Sequence, residues 1–331
     1  MSVSKNNLVI LAILADPSTG GWPTYTAHLA YGLREAGFDP LIAKLTKTTE
    51  GKPRDFGRGL TYWNFNEADL LSATRHTPVI ITAIGKNKRV AAAELIKRGA
   101  VTVIHDPTEL DKDLIETLKD SRVITIRKII AERLSSLGVE NDFVPHPYKR
   151  SPLRFDEDKA NPVAISRVDF DKNTHLIVEA NKGLNPKDKV IIHGTLNTLY
   201  ESVKLKLIDP DWRSSYAGGW SAKDDLWFAV SIASRSRAVV DLSTIKGDGG
   251  GTQYSFLEAM DAMKPLVLHS NWFTGESAYD EMAEMGIYKI STPEELSAQL
   301  CEPMRADQDS YLTLLENHEA RKIAKGLIGL I

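Results

Sequence analysis

The stretch Gly247-Asp248-Gly249-Gly250-Gly251-Thr252-Gln253-Tyr254-Ser255-Phe256-Leu257-Glu258-Ala259-Met260 follows the apolar run Ala238–Leu242 and precedes Pro265-Leu266-Val267-Leu268. It predicts a buried strand, a glycine-rich loop, a helix opening near Thr252 with Glu258 in its second turn, and a further buried strand. Backbone N–H groups at such a helix start attract phosphate, and glycines let the phosphate come close. A carboxylate one turn further in can take both hydroxyls of a ribose. Together these residues have the chemistry of a nucleotide-diphosphate site.

Two other groupings carry chemistry. In Val163-Ala164-Ile165-Ser166-Arg167-Val168-Asp169-Phe170-Asp171-Lys172-Asn173, a strand ends at Arg167 and a helix starts near Asn173. Arg167 and Lys172, converging on one point, suit a diphosphate whose charge grows as its bond breaks. Taken alone, the same two cations read more readily as a solvated loop, and beside the Gly247–Glu258 stretch that balance reverses. In Val101-Thr102-Val103-Ile104-His105-Asp106-Pro107, a buried strand delivers His105 and Asp106 to its carboxyl end. Either side chain can take a proton from an acceptor hydroxyl. The alternative is that Asp106 caps a helix beginning at Pro107 or Thr108 while His105 packs.

These residues need a scaffold of strands. Short apolar runs alternate with helical patterns through 331 residues that are 42% apolar, the signature of βα units around parallel sheets. Strands are predicted at Leu8–Leu14, Pro40–Leu45, Val79–Ile84, Val101–Ile104, Val123–Ile126 and Phe143–Val144. Helices are predicted at Tyr25–Ala36, Lys88–Arg98, Leu110–Lys119 and Lys128–Leu137. Val144-Pro145-His146-Pro147-Tyr148-Lys149-Arg150-Ser151-Pro152 then breaks the pattern with three prolines and reads as a linker. Beyond it the alternation restarts with Val163–Ile165, a helix from about Asn173 to Asn181, Val190–Ile192 and a helix at Asp224–Ser234. Two α/β halves imply a cleft where open parallel sheets place ligands.

The Arg-x4-Lys spacing, the glycine-rich loop running into Leu257-Glu258-Ala259-Met260 and the strand Pro265-Leu266-Val267 together resemble the donor half of retaining glycosyltransferases with the GT-B fold. Val144-Pro145-His146-Pro147 resembles their hinge, and Asp16-Pro17-Ser18-Thr19-Gly20-Gly21-Trp22 their first glycine-rich loop. The resemblance implies two facing doubly wound, Rossmann-like domains with a cleft between them. Residues 1–147 would form the acceptor side, 148–315 the nucleotide-sugar side, and 316–331 a C-terminal helix packing back on the first domain. It implies a nucleotide-diphosphate sugar, a UDP-sugar, as co-substrate, with no tightly bound cofactor. Donor binding would fall to Gly20, Gly21, Arg167, Lys172, Asp248, Gly250, Gly251, Thr252, Gln253 and Glu258. The family's Glu-x7-Glu motif departs here, because its first glutamate falls on Gly250, and Asp248 offers a carboxylate two residues upstream. That loss also leaves room for a nucleotide-binding module without turnover.

The His105-Asp106 pair and Gln253-Tyr254-Ser255-Phe256-Leu257-Glu258 are similar to features of the α-glucosyltransferases of T-even bacteriophages, which glycosylate hydroxymethylcytosine in DNA. They too lack the first glutamate. This likeness implies double-stranded DNA with hydroxymethylated bases as acceptor and partner. Lys86, Lys88 and Arg89 follow the strand Val79–Ile84 and could hold DNA phosphates, while Trp22, Tyr62 or Trp63 could stack on a flipped base. An ordinary solvated surface, or an acceptor bearing phosphate or carboxylate, explains the same charges. Saccharide, lipid and small-molecule acceptors remain alternatives.

Other classes fit poorly. A net charge of -3 argues against a chain devoted to coating nucleic acid. The single cysteine, Cys301, excludes a disulfide framework, and the histidines show no metal-ligand spacing, so no metal is expected. No Gly-x4-Gly-Lys-Ser/Thr or Gly-x-Gly-x-x-Gly pattern occurs in the loops concerned. No apolar run reaches bilayer-spanning length, so no membrane insertion is expected and the chain reads as cytoplasmic, in the host cytoplasm if a bacteriophage encodes it.

Overall fold

The computed structural model describes residues 7–15, 21–106, 109–152, 160–219, 225–244, 252–273, 282 and 285–331. The chain divides into two compact units, Met1–Lys149 with Asn317–Ile331, and Arg150–Glu316.

The first unit is built on eight strands, β1 (Leu8–Leu14), β2 (Asp39–Leu45), β3 (Arg54–Gly57), β4 (Leu60–Phe65), β5 (Val79–Ile84), β6 (Val101–Ile104), β7 (Arg122–Thr125) and β8 (Asn141–Phe143). They lie in the order β3-β4-β2-β1-β5-β6-β7-β8, parallel except for the antiparallel β3–β4 pair. Six of the seven residues of β1 are buried, as an interior parallel strand covered on both faces requires. The order reverses between β1 and β5, so the loops leaving these two strands flank a switch point. Their approach is tight. The Gly85 N–H donates to the Leu14 carbonyl at 3.0 Å, and a Cβ on Gly85 would stand 3.1 Å from that oxygen.

The C-terminal helix Ala320–Gly329 belongs to this unit and buries Ala320, Ile323, Ala324 and Leu327, one face of a 3.6-residue period, against the helix Trp22–Glu35. Contact is so close at Gly32 that a Cβ there would meet the Ala320 carbonyl oxygen at 2.3 Å. The segments leaving and re-entering the unit pair through Tyr148 N–H to His318 C=O at 2.7 Å and Ala320 N–H to Tyr148 C=O at 3.0 Å. His28 accepts the Lys149 N–H on Nδ1 at 2.9 Å, and His318 Nδ1 donates to the His146 carbonyl at 2.7 Å.

The second unit has six strands, β9 (Val163–Ile165), β10 (Ile191–His193), β11 (Tyr216–Gly218), β12 (Val239–Asp241), β13 (Leu266–His269) and β14 (Tyr288–Ile290). All are parallel, in the doubly wound order β11-β10-β9-β12-β13-β14, with the switch point between β9 and β12. Its core gathers Ile192, Tyr200, Trp212, Val240, Val267, Leu296 and Leu300.

The expected strands and helices recur within a few residues of their predicted ends. Unexpected are the β3–β4 hairpin, the helix Glu67–Ala73, the three-residue strands β11 and β14, and a helical stretch over residues 198–208 wound as a π-helix at Glu201–Leu205. Among the described residues no helix is long and apolar enough to cross a membrane.

Candidate active site

At the second unit's switch point, the loop leaving β9 is laid along β10. Ser166 N–H donates to the His193 carbonyl at 3.1 Å and Val168 N–H to the Thr195 carbonyl at 2.9 Å. Only glycine fits at 194, since a Cβ would lie 1.7 Å from the Ser166 oxygen. The Gly194 carbonyl accepts the Tyr216 hydroxyl at 2.7 Å, and its N–H reaches the Gly218 carbonyl at 3.0 Å. This crossing sets where Arg167 emerges. The single sequence does not signal it, because the partner of Gly194 is 28 residues away.

Arg167 does not simply face outward with Lys172. Its guanidinium holds Asp169 at 2.9 Å and Asp171 at 3.1 Å while remaining 59% exposed. Such pairs contribute at most about 1 kcal/mol and exchange readily for a more highly charged anion. Lys172 closes the short turn Phe170–Lys172, which Asp169 caps through the Phe170 N–H at 2.8 Å. The next residue, Asn173, takes the left-handed conformation that asparagine tolerates (φ 46°) and opens the helix Thr174–Gly183. Its Nδ2 donates to the Leu242 carbonyl at 2.9 Å, and Thr244 N–H reaches the Asp171 carbonyl at 3.4 Å. The loop bearing Arg167 and Lys172 and the loop following β12 are therefore fastened to one another.

Buried Asp241 braces the exit of β12. It accepts the Ser243 N–H at 3.0 Å and the Ser255 hydroxyl at 2.6 Å, and Trp272 Nε1 donates to the Ser243 carbonyl at 2.7 Å. Thr252 is buried, and Gln253 precedes the helix Tyr254–Asp261, which has neither a side-chain cap at Gln253 nor an acid in its first turn. The positive end of a helix favours negative charge, and the buried Asp241 carboxylate already bonds to Ser255 in this first turn. Glu258 is half-buried in the second turn. Gly20, Asp248, Gly250 and Gly251 lie outside the described residues.

At the first unit's switch point the geometry revises several expectations. His105 is buried, with Nε2 2.8 Å from the Thr82 carbonyl, so that nitrogen carries the proton. Burial pushes its pKa down to about 4, partly offset by that hydrogen bond, and its ring meets Tyr25 edge-on at 4.7 Å. An imidazole with its pKa held that low is a weak proton acceptor at pH 7. Asp106 is half-buried beside it. Asp111 accepts the Leu114 N–H at 2.9 Å and starts the helix Lys112–Leu118, while the helix start expected at Pro107 or Thr108 lies outside the described residues.

The side chain that organises this corner is one the motifs miss. Glu109 is 5% exposed and accepts Trp22 Nε1–H at 3.1 Å and the His105 backbone N–H at 3.0 Å. Burial drives its carboxyl up to about 8, against those two hydrogen bonds. In Pro107-Thr108-Glu109-Leu110-Asp111 it reads as an ordinary acid near a helix start, and nothing local marks it as buried.

Lys86, Lys88 and Arg89 do adjoin the switch point, but they are unlike one another. Lys86 is exposed and Lys88 half-buried in the turn Lys86–Lys88. Arg89 is turned inward, its Nε 3.0 Å from Asp111 and its Nη2 bonded to the Glu109 carbonyl. That corrects its expected place on an open phosphate-binding surface. Gly21 is exposed at the entry of the helix Trp22–Glu35, and the Trp22 indole is anchored by Glu109. Tyr62 and Trp63 sit on β4, with β2 between them and β1, so they do not line this switch point.

No family model and no curated protein matches the chain. Among solved structures it is similar to Anabaena HepE in complex with UDP (TM-score 0.68, 12% identity, 98% of each chain covered). It is also similar to the pneumococcal O-GlcNAc transferase GtfA in complex with UDP and GlcNAc (TM-score 0.70, 11% identity, 98% of this chain and 99% of that one). An alpha-glucosyltransferase (AGT) in complex with UDP superposes with a TM-score of 0.64 at 12% identity, over 97% of this chain and 95% of that one. The two α/β sheets, of eight and six strands, match the fold of GT-B glycosyltransferases.

Proposed function

We propose that this chain, which has the GT-B glycosyltransferase fold, is a retaining glycosyltransferase moving a sugar from a UDP-sugar to an acceptor hydroxyl, with a 5-hydroxymethyl pyrimidine of DNA as the acceptor. The observation that carries the donor half is the junction at the second unit's switch point, where Asn173 and Thr244 fasten the Arg167–Lys172 loop to the loop that ends at the helix Tyr254–Asp261. HepE, GtfA and AGT all bind UDP, which supports a uridine carrier.

In this reading Arg167 leaves Asp169 and Asp171 for the diphosphate, Lys172 and the N–H groups near Thr252 and Gln253 join it, and Glu258 holds the ribose. As the bond from the sugar to the diphosphate breaks, the acceptor oxygen bonds to the same carbon on the face the diphosphate leaves, so configuration is kept. Its proton passes to the departing phosphate oxygen, because burial lowers the pKa of His105 to about 4 and leaves it too weak a base. Asp106 polarises the hydroxyl, and Gly21 and Trp22 border the acceptor. Support for DNA comes from Lys86 and Lys88, which present cations beside the switch point, and from the sequence likeness to the phage enzymes.

The test is incubation with a panel of nucleotide sugars and two otherwise identical duplexes, one hydroxymethylated, followed by mass spectrometry of the digested nucleosides. A hexose or pentose increment on the modified base alone is expected. Release of nucleoside diphosphate without an increment would remove DNA as acceptor and turn the search to saccharide, lipid or small-molecule hydroxyls. Donor binding with no turnover at all would favour a silent nucleotide-binding module.

A further inference from the structure

Glu109 gathers three segments of the first unit. Its Oε1 accepts the Trp22 indole N–H at 3.1 Å and its Oε2 the His105 N–H at 3.0 Å. Its own N–H donates to the Asp106 carbonyl at 3.0 Å, and its carbonyl accepts the Arg89 guanidinium. Arg89 then reaches Asp111, the cap of the next helix. One buried acid thus ties together the residue that follows the first glycine-rich loop, the carboxyl end of β6 and the helix that follows β5.

We propose that Glu109 is the positioning residue of the acceptor side, fixing the His105-Asp106 turn and the Trp22 indole as a unit whose firmness follows its own charge state. The proposal rests on the glycosyltransferase reading above. Both carboxyl oxygens receive an N–H group, an arrangement that suits the carboxylate. Protonation converts one oxygen to a hydroxyl and weakens one of the two bonds. Facing Glu109 are the His105 and Trp22 N–H groups and Arg89, which lower its pKa against the larger effect of burial, and Asp106, which raises it together with burial. The His105 ring, with its pKa near 4, stays neutral through the range in which Glu109 titrates, about 8. The acceptor side is therefore loosest below pH 8 and firmest above it, while the donor loops of the second unit include no part of this cluster.

The experiment measures acceptor KM, kcat and acceptor-free UDP-sugar hydrolysis between pH 6.5 and pH 9.5. In the intact protein acceptor KM should fall several-fold as pH rises through about 8, with hydrolysis flat across the same range. Glu109→Gln should abolish that transition. Trp22→Phe keeps an aromatic ring but withdraws an N–H from the carboxylate, so it disfavours ionisation and should move the transition to higher pH. This second variant keeps the test open if Glu109→Gln fails to fold. A transition that stays in place in both variants, or a donor KM that rises in step with acceptor KM, would overturn the role of Glu109. An intact protein that neither hydrolyses nor transfers any nucleotide sugar would instead overturn the glycosyltransferase reading.

Discussion

The two switch points are built in opposite ways. In the second unit, the cation stands in solvent, with the Arg167 guanidinium more than half exposed and shared between the partly covered Asp169 and Asp171. In the first unit, the polar groups are buried and interlocked, with Glu109, His105, Trp22 and Arg89 bonded to one another or to backbone. Exposed ion pairs hold little free energy and can be traded for a ligand, whereas buried polar networks are costly to disturb and therefore rigid. A site that must capture and release a multiply charged leaving group needs the first arrangement. One that must present a neutral hydroxyl at a fixed angle needs the second.

The sharpest test of the contrast is the double substitution Arg167→Ala with Lys172→Ala. Loss of both cations should lower transfer by at least about 10³-fold, roughly 4 kcal/mol of transition-state stabilisation. Stability should move little, with Tm within a few degrees of the parent, because the Arg167 side of both pairs is 59% exposed. A large drop in Tm would show that this loop is a structural member after all, and unchanged transfer would remove the donor assignment.

Gly194→Ala probes what does hold the second unit's site in place. A methyl there would lie 1.7 Å from the Ser166 oxygen, a backbone atom with little freedom to retreat. The expected cost is about 3 kcal/mol in urea unfolding, with donor affinity falling as the Arg167 loop shifts. If the variant melts like the parent, the close crossing is softer than its geometry implies, and the side chains must position the loop.

Legibility in the sequence follows the same contrast. In the second unit, β9, β12, the Arg-x4-Lys spacing and the helix start near Thr252 were legible because each lies within a dozen residues, whereas Asp248, Gly250 and Gly251 fall outside the described residues. The acceptor side was readable only as far as the strand that delivers His105 and Asp106. Glu109 draws its meaning from Trp22, 87 positions away, and Arg89 from Asp111, 22 positions away. No short pattern encodes such distances. The missed strands have a simpler cause. β3, β11 and β14 are edge strands, Arg-Asp-Phe-Gly, Tyr-Ala-Gly and Tyr-Lys-Ile, so none shows the apolar run by which the equally short interior strands are recognised.

Acid should separate the two units as well. Burial holds the pKa of His28 down to about 3 and that of His105 to about 4, and burial with the nearby Arg127 holds His146 well below the usual range. In the unfolded chain these imidazoles titrate near 6.5, so below that pH the unfolded state binds more protons. Their stabilisation is complete above about pH 6.5 and is lost as pH falls towards 4 and 3. Each contributes a slope of about 1.4 kcal/mol per pH unit. His28→Gln, whose amide oxygen can still accept the Lys149 N–H, should remove one such share from the slope measured by urea unfolding between pH 6.5 and pH 5. A slope equal to the parent's would mean that His28 is hydrated enough to protonate in the folded state.

The smallest effect is expected from Lys86→Ala with Lys88→Ala, and it bears on the acceptor rather than on the fold. Neither lysine takes part in the Glu109 network, so removing both should leave Tm and UDP-sugar hydrolysis unaltered. If they meet DNA phosphates, the salt dependence of duplex binding should fall by about two counterions, with affinity near physiological salt reduced by about ten-fold. Arg89→Ala would be a misleading substitute, since Arg89 bonds to Asp111 and to the Glu109 carbonyl, and its loss would disturb the buried cluster before any acceptor is present. An unchanged salt slope in the double lysine variant, together with normal hydrolysis, would place the acceptor elsewhere on the first unit and weaken the case for DNA. Loss of hydrolysis along with duplex binding would show instead that even the exposed part of this loop is coupled to the donor, and that the two switch points are not as separate in their chemistry as they are in their construction.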